Sequence, residues 1–312
     1  MSKTAFVFPG QGSQYVGMGR ELAQNYAPAA EVFAQAAAVL GQEFVDIINN
    51  GPEDALKQTA VTQPAILTAS IASLRVLESK GVKPEFVAGH SLGEYSAHVA
   101  AGTFSFQDAV KLVRERGQLM QEASPPDGAM AAILGLDSEQ VRAACVKASC
   151  HGIVEVANYN CPGQVVISGQ LGAVKKAIDL CKEAGAKRGI LLQVSGPFHS
   201  SLMIQAGERL GEALLSVKIN DPELPLIANI NAEYVKTRER VTTSLIQQVS
   251  SSVRWEECIR RLAADGTTVF VEVGPGKVLA GLIKKIIPNV KVFGVEDVAS
   301  LEKFLAYLEE SR

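Results

Sequence analysis

Short apolar runs alternate with longer stretches of helical pattern along most of this chain. TAFVFP near the start and TTVFVEVG at 267–274 have the pattern of buried strands, whereas 21–41 and 62–81 repeat apolar positions at helical spacing. Strands separated by long helical stretches are typical of a parallel sheet with covered faces. The pattern therefore predicts an α/β fold with a parallel sheet.

Residues 128–195 follow a different pattern. Strand-like GAMAAILGL, a helix from DSEQVRAACVKASC, two strand-like runs joined by Cys-Pro-Gly, a second helix and KRGILLQVS give the order βαββαβ. Pro- and Gly-rich segments flank this region, as they flank many domain boundaries. We therefore expect a small ferredoxin-like domain at 127–196, inserted into a large discontinuous domain formed by 1–126 and 197–312.

Composition and charge narrow the functional classes. A net charge of −3 gives no basic field for nucleic acid or an anionic membrane surface. The start lacks the pattern of a signal peptide, and we expect no apolar stretch of membrane-helix length. Five scattered cysteines, an odd number without metal-ligand spacing, predict reduced thiols, a cytoplasmic location and no metal site.

The segment GHSLG at 89–93 fits the G-x-S-x-G pattern of a nucleophile elbow. A strand-like run precedes it and a helix-like segment follows it, which is the context that this turn requires. Ser91 is therefore the candidate nucleophile. The N–H of Leu92 and the loop Gly10-Gln11-Gly12 are candidate donors to an oxyanion, and the loop lacks the lysine of a phosphate-binding motif.

A serine nucleophile requires a base, and the chain has four histidines. His90 adjoins Ser91 and points away, His98 lies two turns into the following helix, and His151 falls in a predicted turn. His199, in SGPFHSSLM, lies downstream of the serine where the chain re-enters the large domain, so it is the best candidate. No acidic residue stands out as its partner, and a backbone carbonyl is the alternative.

One arginine falls on the apolar side of its helix. In FQDAVKLVRERGQLMQEA the apolar stripe includes Leu112, Val113 and Met120, and Arg116 lies on the same stripe, whereas Arg114 lies on the polar side. Two interpretations are open. Either Arg116 extends past the stripe to water, or it points inward to bind an acyl group that carries a carboxylate.

The chain resembles a known family in ordered motifs that span nearly its whole length. GQGSQ, GHSLGEYSA, RGQLMQEA, GAMAAILGL, NYNCPGQVVISG, GPFHSSLM and VEVGPGKVL occur in this order. They resemble the bacterial malonyl-CoA:acyl-carrier-protein transacylases and, more loosely, the acyltransferase domains of fatty acid and polyketide synthases. The resemblance implies an α/β-hydrolase-like large domain with a ferredoxin-like insertion.

The same resemblance assigns catalytic roles to five positions. It implies that Ser91 carries the acyl group and that His199 is the base. It implies that the backbone N–H groups of Gln11 and Leu92 form the oxyanion hole. Gln248 matches the residue whose main-chain carbonyl orients the histidine, which accounts for the missing acid.

Three further positions match residues of the substrate pocket. Arg116 matches the arginine that binds the malonyl carboxylate, Asn160 a pocket asparagine, and Phe198 the aromatic residue associated with malonyl selection. The chain departs from the family at Ser252, where relatives commonly have proline before Trp255. This departure leaves the rigidity of the Gln248 loop open.

The expected reaction is malonyl transfer from malonyl-CoA to the phosphopantetheine thiol of acyl carrier protein, without a cofactor and by a monomer. It would serve fatty acid synthesis or, alternatively, a polyketide pathway. Two other classes are weighed against it. A serine esterase or thioesterase is disfavoured by the absent acid and by Arg116, and a non-catalytic docking module by the intact Ser91 and His199.

Overall fold

The structure, a computed structural model, describes residues 3–311. Within this range a larger sheet has six strands in the order β10-β9-β1-β2-β7-β8. Their bounds are β1 Lys3–Phe8, β2 Phe86–Gly89, β7 Leu226–Ile227, β8 Tyr234–Val235, β9 Thr267–Val273 and β10 Lys291–Val295. All neighbouring pairs are parallel except β7 with β8, which is antiparallel.

Helices form the rest of the large unit. They are α1 Arg20–Asn25, α2 Ala27–Leu40, α3 Gln42–Asn50, α4 Glu53–Leu56, α5 Thr59–Ser79, α6 Gly93–Ala100, α7 Phe106–Glu122, α10 Ile204–Leu214, α11 Arg238–Gln248, α12 Trp255–Ala264, α13 Val278–Ile286 and α14 Val298–Glu310. The break between α1 and α2 has a local cause. Pro28 lacks the N–H that a continuous helix would need there, and Tyr26 is extended.

The register of the central strands explains where the site forms. Phe8 at the end of β1 lies opposite Gly89 at the end of β2, so both strands end at the same edge of the sheet. The loop with Gln11 leaves one strand and the turn with Ser91 leaves the other. Parallel strands thus bring two segments that are 80 positions apart to one edge.

The expectation of no apolar stretch of membrane-helix length is wrong for α5. By length and composition this helix is long and apolar enough to cross a membrane, but 94% of its most apolar stretch is buried inside the protein. It packs against α2, α6 and α7, so it is the core helix of the large unit. Its apolar sequence is interrupted by buried Thr and Ser residues and by Gln63, so the sequence pattern did not show how apolar the whole helix is.

The second sheet is small and antiparallel. Its strands, β3 Gly128–Leu134, β4 Val154–Cys161, β5 Gln164–Gln170 and β6 Arg188–Leu191, lie in the order β4-β5-β3-β6. Helices α8 Ser138–Ala148 and α9 Leu171–Glu183 complete the predicted order and share their own apolar core with the strands. The domain boundaries at 126/127 and 196/197 stay a prediction.

The apolar run LPLIANI at 224–230 forms only a short strand. Only Leu226–Ile227 pairs with β2, because Asn229 turns toward the interior and its N–H donates to the carboxylate of Glu94. The chain then reverses into the short β8, which the pattern did not indicate.

Candidate active site

The turn from β2 into α6 has the geometry of a nucleophile elbow. Ser91 has a φ of 51°, a left-handed conformation that costs a serine about 1 kcal/mol or more. A Cβ on Gly89 would lie 1.9 Å from the Gly93 carbonyl, and a Cβ on Gly93 would lie 2.0 Å from the Phe8 oxygen. Only glycine fits at both positions. The Ser91 N–H donates to Asn229 Oδ1 over 2.7 Å, which fixes the turn from the opposite side.

His199 meets Ser91 directly. Its Nε2 lies 2.8 Å from Ser91 Oγ, and its Nδ1 lies 2.9 Å from the Gln248 carbonyl oxygen and 3.2 Å from that of Ser251. Carbonyl oxygens only accept hydrogen bonds, so Nδ1 carries the proton and the Nε2 lone pair faces the serine. The carbonyl that sequence reasoning held as an alternative to an acid therefore occupies the third position.

The surroundings keep this imidazole neutral. Burial first, and then the charge of Arg116, lower the pKa of His199 to about 3. A neutral histidine with its lone pair toward a hydroxyl is in the state that a general base needs at neutral pH.

Arg116 points inward, so the interpretation that it extends to water is wrong. It is 1% exposed, and its Nη1 donates to Gln63 Oε1 over 2.8 Å. Its Nη2 donates to Gln248 Oε1 over 3.0 Å and to Ser91 Oγ over 3.3 Å. Within residues 3–311 it makes no salt bridge with a carboxylate and its Nε makes no hydrogen bond, while its Cζ lies 5.3 Å from the centroid of the Tyr95 ring. A buried guanidinium beside the nucleophile is thus available to an incoming anion.

Two backbone donors belong to residues of the cavity that contains Ser91. Gln11 and Leu92 both line it, and neither N–H donates a hydrogen bond to any residue of the described chain. The Gln11 side chain is held aside, since its Nε2 donates to Thr59 Oγ1 over 3.2 Å. Leu92 is also the N-cap residue of α6. The N–H groups at the start of a helix have no carbonyl partner within the helix, so they are free to bind an anion.

The cavity has a volume of about 260 Å³ and lies between the two sheets. Met130, Asn160 and Val166 reach it from the small sheet, whereas Phe198, which is 5% exposed, reaches it from the segment before His199. The wall is therefore shared by the two structural units and is mostly apolar.

Asn160 forms a hydrogen bond with His90, the residue before the nucleophile. Its Oδ1 lies 2.9 Å from His90 Nε2, and the His90 ring packs edge-on against Trp255. Asn160 thus lines the cavity while it fixes the His90 ring against Trp255.

The loop that contains the departure from the family is well anchored. The Val253 N–H donates to the Ala157 oxygen over 2.8 Å, and the Tyr159 N–H donates to the Val253 oxygen over 2.9 Å. Ser252 Oγ donates to the Val156 oxygen over 2.5 Å. The hydroxyl of Ser252 and the pairing with β4 thus hold the loop.

Sequence reasoning missed three polar residues at this site. Gln63 is a buried amide in the apolar helix α5, Asn229 follows a short buried strand, and Glu94 is a carboxylate with 0% exposure in α6. The signal was available, since each is a polar residue inside an apolar stretch. Only the fold shows that all three meet around Ser91 and Arg116.

The fold and the site together define an acyl-transferring serine enzyme. In an α/β fold, a serine–histidine pair lies at an elbow, beside a buried cation and two N–H groups without a partner in the described chain. A family model described as acyl transferase domain matches residues 5–302. The malonyl CoA-acyl carrier protein transacylase of Bacillus subtilis (strain 168) is 48% identical over 99% of this chain and 98% of its own length.

Solved structures agree with this similarity. An acyl carrier protein S-malonyltransferase from Vibrio cholerae matches with a TM-score of 0.95 and 47% identity, over 97% of this chain and all of its own. A malonyl-transacylase in complex with a type II PKS acyl-carrier protein matches with a TM-score of 0.95 and 43% identity, over 98% of this chain and 100% of its own. The chain belongs to the malonyl CoA-acyl carrier protein transacylase family, and the predicted α/β class is confirmed.

Proposed function

We propose that the protein transfers a malonyl group from malonyl-CoA to the phosphopantetheine thiol of acyl carrier protein, and so supplies extender units for fatty acid synthesis. The observation that carries this proposal is Arg116, a buried guanidinium 3.3 Å from Ser91 Oγ without a carboxylate partner in residues 3–311. The malonyl group brings such a carboxylate, and it can pair with the guanidinium in a bidentate manner.

The first half-reaction forms an ester on Ser91. His199 Nε2 accepts the serine proton while Oγ attacks the thioester carbonyl, and the oxyanion faces the N–H groups of Gln11 and Leu92. The tetrahedral intermediate collapses, the carbon–sulfur bond breaks, and the CoA sulfur takes the proton from His199. The Gln248 carbonyl stabilises the imidazolium through Nδ1–H in between.

The second half-reaction reverses these roles. The carrier thiol gives its proton to His199, its sulfur attacks the ester carbonyl, and Ser91 leaves with that proton. An oxygen ester formed from a thioester keeps enough free energy for this return if water is kept out, and the cavity wall from the small sheet supports such exclusion. Each proton and charge in this scheme is handled by residues of this chain, so the scheme requires no cofactor. All five cysteines are free, which supports a cytoplasmic location.

We expect the acidic carrier protein to bind basic residues around the mouth of the cavity. Three basic pairs are candidates, Lys187-Arg188, Arg260-Arg261 and Lys284-Lys285. The Arg260-Arg261 charges are already compensated by Glu256 and Asp265. The other two pairs remain the better candidates for an acidic carrier.

Labelling with malonyl-CoA tests the proposed function. The intact protein should gain one malonyl group, which holo acyl carrier protein then removes, and Ser91→Ala should gain none. Ser96→Ala, which removes a buried hydroxyl from the helix that follows Ser91, is the matched control and should be labelled normally. Rapid release as free malonate would instead indicate an esterase, and failure of the wild-type protein to be labelled would indicate a docking module.

A further inference from the structure

A buried carboxylate lies three residues after the nucleophile, and the proposed reaction does not use it. Glu94, in α6, is 0% exposed, and its Oε2 accepts hydrogen bonds from Gln248 Nε2 over 2.8 Å and from the Asn229 N–H over 2.9 Å. Burial of a carboxylate is costly unless its partners compensate. Here burial raises the pKa of Glu94 to about 7, against the opposing effects of Asn229, Gln248 and Arg116.

The first partner, Gln248, connects this carboxylate to Arg116. The Gln248 amide donates through Nε2 to Glu94 and to the Ser91 carbonyl oxygen, and it accepts through Oε1 from Arg116 Nη2 over 3.0 Å. A carboxylate and a carbonyl only accept, and a guanidinium only donates. A flipped amide would therefore place oxygen against oxygen and N–H against N–H, so Glu94 in its ionised form, together with the Ser91 carbonyl, fixes which end of Gln248 faces Arg116.

The second partner, Asn229, connects the carboxylate to the elbow. Its N–H donates to Glu94, while its Oδ1 accepts from the Ser91 N–H and its Nδ2 donates to the Gly89 oxygen over 2.7 Å. The carboxylate thus anchors both the turn that presents the nucleophile and the amide that presents the cation.

The intervening amide has a consequence for substrate binding. A carboxylate bonded directly to Arg116 would occupy the donors that an acyl carboxylate needs. With one amide in between, Glu94 compensates the buried positive charge and leaves Arg116 free of a salt bridge in the described chain. The guanidinium also stays in place, because Gln63 holds its other end over 2.8 Å.

We propose that Glu94 is a positioning residue for acyl-group selection, which acts through the Gln248 side chain to hold Arg116 toward an acyl group that carries a carboxylate. This inference rests on the proposed malonyl transfer. It assigns two roles to Gln248, since the main chain orients His199 and the side chain orients Arg116.

The test compares malonyl-CoA with acetyl-CoA as donors to holo acyl carrier protein, in the full-length chain. Glu94→Gln keeps the size and removes the charge, so kcat/KM for malonyl-CoA should fall about tenfold more than that for acetyl-CoA, mainly through KM. Glu94→Asp should restore part of the selectivity. Glu272→Gln is the matched control, because Glu272 is also 0% exposed and accepts two backbone N–H bonds, from Leu279 and Ala280.

Several outcomes would overturn the proposal. Selectivity of Glu94→Gln within about twofold of wild type would do so, as would an equal loss for both donors or an equal loss of selectivity in Glu272→Gln. If Glu94→Gln does not fold, Gln248→Met tests the same connection, since it keeps the main-chain carbonyl and should lose selectivity. A wild-type protein that transfers no malonyl group would refute the proposed function itself, which is a separate result.

Discussion

The Nη2 atom of Arg116 lies 3.3 Å from Ser91 Oγ, so the buried cation touches the proposed nucleophile itself. An acyl group on Ser91 therefore places any carboxylate two carbons further on within the range of this guanidinium. In the proposed mechanism, the group that selects the acyl chain is therefore adjacent to the atom that carries it.

Replacement of Arg116 by alanine should remove the preference for malonyl-CoA over acetyl-CoA. Loss of one partner of a buried charge pair costs about 2–5 kcal/mol, which corresponds to at least a thirtyfold loss of malonyl transfer at the lower limit. Arg114→Ala is the matched control on the same helix, because Arg114 is partly exposed and donates to the Ala60 oxygen. Retention of the malonyl preference in Arg116→Ala would exclude the proposed role.

The pH dependence of the acylation rate should reflect the lowered pKa of His199. Since the folded value is about 3, the imidazole is a neutral base throughout the range from about pH 5 to 8, and ester formation on Ser91 should show no acid limb near 6.5. Rapid-quench measurement of the malonyl ester over this range checks this in the Glu94→Gln variant, because Glu94, with a pKa of about 7, would add an acid limb of its own in the wild-type protein. An acid limb close to 6.5 would show that the site does not lower this pKa.

The same shift predicts an effect on stability. The unfolded chain binds a proton at His199 below about 6.5 and the folded chain only below about 3, so the free energy of unfolding falls with decreasing pH between these values. The slope from this residue is at most about 1.4 kcal/mol per pH unit. Urea unfolding of wild type and His199→Ala at several pH values should show a shallower acid slope for the variant. Equal slopes would contradict the prediction.

The elbow should not tolerate a side chain at Gly93. A Cβ there would lie 2.0 Å from the Phe8 oxygen, so Gly93→Ala must displace backbone and should destabilise the fold by about 2 kcal/mol or more, with loss of malonyl labelling. Gly281→Ala is the control, because Gly281 lies in α13 with open space around its Cβ position and should gain up to about 1 kcal/mol. Thermal unfolding of both variants measures this difference.

The hydroxyl of Ser252 should contribute to the position of His199. Ser252→Ala removes the bond to the Val156 oxygen, which should cost about 1 kcal/mol and lower kcat, because the adjacent Ser251 carbonyl contacts His199 Nδ1. Ser216→Ala removes a comparable bond, to the Ala213 oxygen over 2.7 Å, at an exposed position that lines neither the cavity nor the pocket beside the Ser252 loop. It should leave kcat unchanged. Equal effects of the two substitutions on kcat would show that the loop does not depend on Ser252.

The sequence alone determined the parts that depend on local pattern. Alternation of strands and helices predicted the α/β class, and the order of elements at 128–195 predicted the small antiparallel sheet. Glycines around Ser91 predicted the turn, because its requirement for small residues is local. The pairing of Ser91 with His199 was inferred from chain order and family resemblance, and the structure places the two side chains 2.8 Å apart.

Only the tertiary structure decided between the two interpretations of Arg116. Helical periodicity placed it on the apolar stripe, but whether a long side chain reaches water depends on what packs over it, and α5 covers this one. The partners of Glu94 likewise come from segments that follow it by more than 130 positions. Hydrogen bonds between such distant segments leave no periodic trace in the sequence, since their geometry is set by how the strands and helices pack.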